Sequence, residues 1–152
     1  MSMPILTWRT ELYRFLLEYL KQNLEPSITV IGREPNWTRW TKYPVLFIVP
    51  DRATNEPAVN NTRRYLIYFD IVLMDRVLQE KEVDAKEQLF EYVDQITGVV
   101  DWRVFSIEAD EHTYTARGKI VQEDYSYYPV AEQGYIITGI RLSYEVDFVL
   151  IA

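Results

Sequence analysis

Few side chains in this sequence have the types and spacing that catalysis needs. The single histidine, His112, stands in Glu108-Ala109-Asp110-Glu111-His112-Thr113, a polar turn between two expected strands. A catalytic base needs a nucleophile and an orienting partner beside it, and no motif supplies either. His112 therefore reads as a solvated loop residue. Carboxylates occur in pairs, Asp70/Asp75, Asp110/Glu111 and Glu123/Asp124, but none has the spacing of a calcium loop. Asp70 falls inside an apolar run and needs a partner once buried, for which Arg64, Arg76 or Arg141 would serve. A structural ion pair explains it better than an active site. With no cysteine there is no thiolate metal site, disulfide or cysteine nucleophile, and one histidine cannot build a multi-histidine site. The five glycines stand apart at 32, 98, 118, 134 and 139, so phosphate-cradling loops and nucleophile elbows are absent. No cofactor, metal or enzymatic activity is expected.

Aromatic and cationic residues cluster more suggestively. Trp37, Arg39, Trp40, Lys42 and Tyr43 lie in a segment bounded by Pro35 and Pro44. Trp, Tyr and Arg anchor protein interfaces, and aromatics also plug core edges; the two readings weigh equally here, with a sugar or base platform below both. Tyr125 and Tyr127 point to one side of an expected strand, a stripe either exposed or covered by another subunit. Residues 50–63 hold little that is apolar and read as a long polar loop, of a length where function concentrates, with Arg52, Asn55 and Arg63 as contact candidates.

The elements that must position these groups follow from hydrophobic period. The chain has 152 residues and 48% hydrophobic content, enough for one globular domain. Residues 7–25 form an amphipathic helix with Trp8, Leu12, Phe15, Leu16, Tyr19, Leu20 and Leu24 on its stripe, Thr7 as N-cap and Pro26 as stop. Tyr13 and Leu17 lie off the stripe and imply a second contact surface. Strands are expected at Ile28–Arg33, Val45–Val49, Arg64–Arg76, Trp102–Ile107, Thr115–Tyr128 and Tyr135–Ile151. Arg64–Arg76 is apolar on both faces, which predicts a central strand covered on both sides, long enough to form one arm of a projecting hairpin. A second helix spans Val83–Thr97, with an Asp84/Glu87 capping pair and Gly98 just past its end. The mixed phase of the last strand suggests a bulge near Gly139. Helix, strands, helix, strands is an α+β order: a single domain over residues 1–152, with two main helices and a mixed or antiparallel sheet of about five to six strands.

Charge narrows the partners. Net charge is −7: residues 1–50 carry six basic and four acidic side chains (+2), residues 51–100 six and ten (−4), and residues 101–152 four and nine (−5). An acidic surface disfavours gripping a phosphate backbone. No apolar run approaches a membrane span and no signal-peptide pattern is read, so the expectation is synthesis in the cytosol without membrane association.

The layout itself resembles a known family. An N-terminal amphipathic helix (Leu6–Leu24) is followed by the Pro-bounded strand Tyr43-Pro44-Val45-Leu46-Phe47-Ile48-Val49. Then come a long strand running into Asp-Arg (Tyr68-Phe69-Asp70-Ile71-Val72-Leu73-Met74-Asp75-Arg76), a second helix (Val83–Thr97) and two closing strands. This pattern resembles the tail terminator and tail-completion (neck) proteins of long-tailed bacteriophages. The resemblance implies a virion structural protein that forms a ring of six subunits, caps the tail tube and docks the neck or head connector. It would touch the sheath in a contractile tail. It transfers no catalytic residue. The −9 sum over residues 51–152 is compatible with acids lining a passage through which DNA moves without being held. A head-completion or stopper-type connector is the neighbouring reading, and a carbohydrate-binding module using Trp37, Trp40 and Tyr43 the one from another class. The contacts that close a ring are expected from the 50–63 loop, the Trp37–Tyr43 segment and the Thr115–Tyr128 strand.

Overall fold

The computed structural model describes residues 8–35, 40–57, 62–78, 82–109, 112–125, 129–132 and 134–151. The elements are α1 (Trp8–Asn23), β1 (Thr29–Ile31), β2 (Val45–Pro57), β3 (Thr62–Leu78), α2 (Glu82–Val100), β4 (Arg103–Ala109), β5 (His112–Asp124), β6 (Pro129–Glu132) and β7 (Tyr135–Ile151). One mixed sheet runs β1-β2-β3-β7-β5-β4. Among the described residues only the β1–β2 pairing is parallel. β3 lines one side of β7 from Thr62↔Ile151 to Leu78↔Tyr135. On the other side β5 covers Arg141–Phe148 and β6 covers Tyr135–Thr138, so β5 and β6 follow one another along the same edge. Both helices pack on one face. The fold is α+β with two helices, as expected from the sequence, and of the two sheet types left open there it has the mixed one, with β6 as an additional short strand on β7.

The helical stripe explains this placement. Trp8, Leu12, Leu16 and Leu20 recur every four residues and are all buried against the sheet. Each such leucine contributes about 1.5–3 kcal/mol relative to exposure. Tyr13 and Leu17 meet a second surface as expected: the Tyr13 hydroxyl donates to the carbonyls of Gly32 and Ile48, and Leu17 lies beside Gly32. From the other helix Leu89, Tyr92, Val93, Ile96 and Val100 complete the main core with Ile71, Leu73, Ile140, Leu142, Tyr144 and Phe148. A smaller cluster of Val45, Phe47, Val72, Met74 and Ile137 occupies the opposite face, with Trp40 and Tyr43 packed over it.

Several boundaries differ from the sequence reading. The long loop expected over 50–63 is the outer part of a hairpin, since β2 continues to Pro57 and β3 begins at Thr62. Residues 51–56 are exposed on both sides, so no apolar alternation marks them; pairing from Arg52↔Tyr68 to Pro57↔Arg63 makes them a strand. The bulge expected at Gly139 is absent: Met74↔Gly139 lies in unbroken register. Ile137 is apolar because the Trp40–Tyr43 segment covers that part of the second face, and this produces the mixed phase. Register shifts fall instead between Pro50 and Arg52 and between Ile120 and Gln122. β3 is central, but its second face is covered only at Val72 and Met74; Leu66, Tyr68 and Asp70 are half-buried. α2 starts at Glu82 and ends at Val100. Asp84 therefore sits in its first turn and Gly98 in its last, and the left-handed position is taken by Trp102 at φ 54°. The expected Thr7 cap lies outside the described residues.

Asp75 sits on the helix-covered side of β3. Burial raises its pKa, opposed by a hydrogen bond from the Arg76 amide to Oδ1 at 2.9 Å. A raised carboxyl binds its proton more tightly when folded. Its charge therefore costs stability as pH climbs from the unfolded value of about 3.9 through the raised folded one. Asp75→Asn removes that charge and retains an acceptor for the amide. The variant is expected to unfold at higher urea than the parent at pH 7.5 and at the same urea near pH 3. An equal gain at both pH values would show that the charge is not the cause.

Candidate subunit interface

Beyond the Trp40–Tyr43 cover, the face opposite the helices carries polar side chains aligned across strands. Antiparallel pairing sets their levels. Arg52 lies opposite Tyr68, Tyr68 opposite Glu145 and Glu145 opposite Lys119, and Trp102 precedes Arg103, which faces Gly118. The side chains connect along this row. The Arg52 guanidinium sits 4.6 Å from the Tyr68 ring centre, and the Tyr68 hydroxyl donates to Glu145 Oε2 at 2.8 Å. Lys119 Nζ lies 3.6 Å from Glu145 Oε1 and 5.4 Å from the Trp102 ring centre. The hydrogen bond to Glu145 raises the Tyr68 pKa, with burial adding to it.

A second group lies toward the hairpin tip. Arg64 makes a two-pronged contact with Asp147, Nε to Oδ1 at 2.9 Å and Nη2 to Oδ2 at 2.7 Å, and lies 3.7 Å from Glu56. The planar fork fixes both side chains in one geometry. Toward the other end Arg141 donates to Asp124 at 2.9 Å. Asp70 lies half-buried near it, its pKa raised by burial and by the Asp51 charge against the pull of Arg141. Of the three arginines expected to pair with Asp70, Arg141 is the one whose charge acts on it, but the 2.9 Å ion pair that Arg141 makes is with Asp124 and not with Asp70. Arg64 is held by Asp147, and Arg76 stands over the rings of Tyr43 and Tyr135 at 5.3 and 4.9 Å. Exposed ion pairs contribute little stability singly. Their result is an ordered, nearly self-neutralised face.

The sequence candidates separate. Trp40 and Tyr43 are half-buried on the small cluster, with Trp40 Nε1 donating to the Lys42 carbonyl at 2.9 Å. Arg52 is in the cross-sheet row. Asn55 is exposed on β2 opposite Tyr65, and Arg63 stands in β3 opposite Pro57 and Leu150. Tyr125 is exposed and pairs with Phe90 of α2 at 5.2 Å between ring centres, its hydroxyl donating to Glu123. Trp37, Arg39 and Tyr127 lie outside the described residues. His112 opens β5 opposite Ala109.

Sequence reading missed Trp102, Tyr68, Lys119 and Glu145 as members of one row. Only Tyr68 has a signal in the sequence, since it shares a strand face with Asp70, the one acid inside the apolar run. Trp102 was assigned to a strand, whereas it sits in the turn before β4, 77% exposed. Among the described residues no group of three or more His, Asp or Glu side chains is arranged to hold a metal ion, and no helix is long and apolar enough to cross a membrane. Compared with known proteins, the chain matches no protein-family model and has no similar curated sequence.

Proposed function

We propose that this chain is a virion structural protein of the tail-terminator kind, a ring-forming subunit that caps a tail tube and offers a docking surface to the neck. The observation that carries this reading is the sheet itself. One face is covered by helices, and the other, beyond the Trp40–Tyr43 cover, presents among the described residues rows of charged and aromatic side chains from Arg52 to Trp102. Such a surface suits contact with a large flat partner. A ring requires unlike surfaces on opposite sides of each subunit, and the two lateral borders of this sheet, β1–β2 and β4, are unlike. Partners on this reading are further copies of the chain, the tube subunit and a neck or head-connector protein, with the sheath added in a contractile tail; DNA passes without being gripped.

The test is tube assembly. Purified tube subunits polymerised with the protein are expected to give shorter tubes bearing a ring at one end by negative-stain microscopy. Tube lengths unchanged at stoichiometric excess would overturn the terminator reading. Binding to the portal-side connector without any effect on tubes would move the protein to the stopper position.

A further inference from the structure

Resting on the ring reading, we propose that neighbouring copies join edge to edge, β4 of one copy beside the outer half of β2 of the next, with Trp102 as the anchor. Among the described residues β1 occupies the outer border of β2 only at Val45–Phe47, and no strand lies outside β4. Both borders therefore present unpaired backbone groups, which template strand addition. β4 carries no proline, lysine or bulge, since its register runs unbroken from Arg103↔Gly118 to Ala109↔His112. The four antiparallel steps from β2 through β3, β7 and β5 to β4 make β4 run in the same direction as β2. The registers also place the two borders at equal height: Thr54, Leu66, Asp147, Arg117 and Val104 form one level. A head-to-tail neighbour would thus extend the sheet as a parallel strand without a shift. On this face Arg117 lies beside Val104 on the β4 side, whereas Lys119 and Glu56 are engaged by Glu145 and Arg64 within the subunit and Arg103 donates to the Gly98 carbonyl on the helix side, so the junction rests on strand register and on Trp102. The row one level down reads cation, aromatic, anion, cation, aromatic, from Arg52 to Trp102. Joining copies sets Trp102 against the next Arg52, repeating the cation–aromatic contacts within the subunit. Trp102 is bulky, mostly exposed and held at φ 54°, a conformation that favours glycine. In the isolated subunit only Lys119 partners its ring among the described residues, whereas buried tryptophans are typical interface anchors.

Because the chain has no cysteine, cross-linking gives a clean test. Thr54 and Val104 are both exposed, and adjacent strands stand about 4.7–4.9 Å apart, within disulfide reach. Thr54→Cys and Val104→Cys proteins are oxidised, or treated with a short bismaleimide to tolerate a one-residue register shift, separately and mixed, with and without tube subunits. Cross-linked dimers are expected only in the mixture, and a covalent ladder in the double variant. Trp102→Gly is expected to lower cross-link yield about tenfold or more while leaving the melting midpoint equal or higher. Dimers in either single-variant sample would show like edges meeting and overturn the proposal, as would no cross-link in any sample. Rings seen without cross-links would reject this junction and leave the ring reading standing. Heterologous cross-links without tube capping would keep the junction and reject the terminator role.

Discussion

Gly118→Ala is expected to destabilise the fold by about 3 kcal/mol or more, at the upper end of overpacking effects. Gly118 stands opposite Val146 on the helix-covered face, and the Tyr144 ring lies across it. A methyl group there would meet Tyr144 Oη and Cζ far inside van der Waals contact, with Cε2 at 2.8 Å. The ring has nowhere to retreat. Tyr144 is fully buried, and its hydroxyl donates to the Val100 carbonyl at 2.7 Å, tying β7 to the end of α2. A domain of ordinary stability has about 5–15 kcal/mol in total, so urea unfolding should show a large fall in midpoint. Tyr144→Phe alone should cost about 1–3 kcal/mol, because it strands a buried carbonyl. Added to Gly118→Ala it should recover little, since Cζ and Cε2 remain in the way. A Gly118→Ala midpoint within error of the parent would mean that β5 can shift away from β7 at this point.

The same contact shows what a sequence can and cannot reveal. Gly118 looked like one of five isolated glycines. Nothing local distinguishes it, because the constraint comes from a residue on a different strand. The helices were legible because Leu12, Leu16 and Leu20 repeat at the period the sheet demands. β3 was legible because a long run of β-branched and aromatic residues, Tyr65–Met74, is apolar on both faces. The outer half of β2 was not, since residues 51–56 bury no side chain and are strand only through their backbone. The end of α2 was misplaced because glycine normally takes the left-handed position after a helix, and here a tryptophan does.

For the candidate interface, Arg52 and the 50–63 region were legible as polar and exposed, but their role depends on register. The row from Arg52 to Trp102 draws on five separate stretches of chain, and its members meet only after β3, β7 and β5 have paired. The Trp40–Tyr43 segment shows the reverse case. Its aromatics looked equally suited to a partner or to the core, and the structure turns both rings onto Val45, Phe47, Val72, Met74 and Ile137. The residue with the strongest anchor character, Trp102, stands at the start of an expected strand, where it reads as a strand residue and not as an anchor.

Trp8→Ala should cost about 3–5 kcal/mol, an effect at least as large, and it couples the core to the proposed junction. Trp8 is buried, stacked on Phe148 with ring centres 4.6 Å apart and 14° between planes, and tilted against Tyr65 at 5.0 Å. The Arg9 guanidinium closes this site, 4.5 Å from the Trp8 ring centre and 5.5 Å from that of Tyr65. Tyr65 and Phe148 are paired across β3 and β7, and Tyr65 is also opposite Asn55 of β2. The first turn of α1 therefore clamps the part of the sheet from which the exposed half of β2 extends. Losing the indole removes support there, while Leu12, Leu16 and Leu20 still hold the rest of the helix. Hydrogen exchange should accelerate first in residues 52–57 and 62–68, before the β4–β5 pair responds, and Trp8→Phe should restore most of the protection. If the β2 edge is a subunit contact, Trp8→Ala should also reduce the mixed Thr54→Cys/Val104→Cys cross-link under conditions where the protein is still folded. Uniform acceleration across all strands would show instead that Trp8 supports the domain as a whole and does not govern the edge.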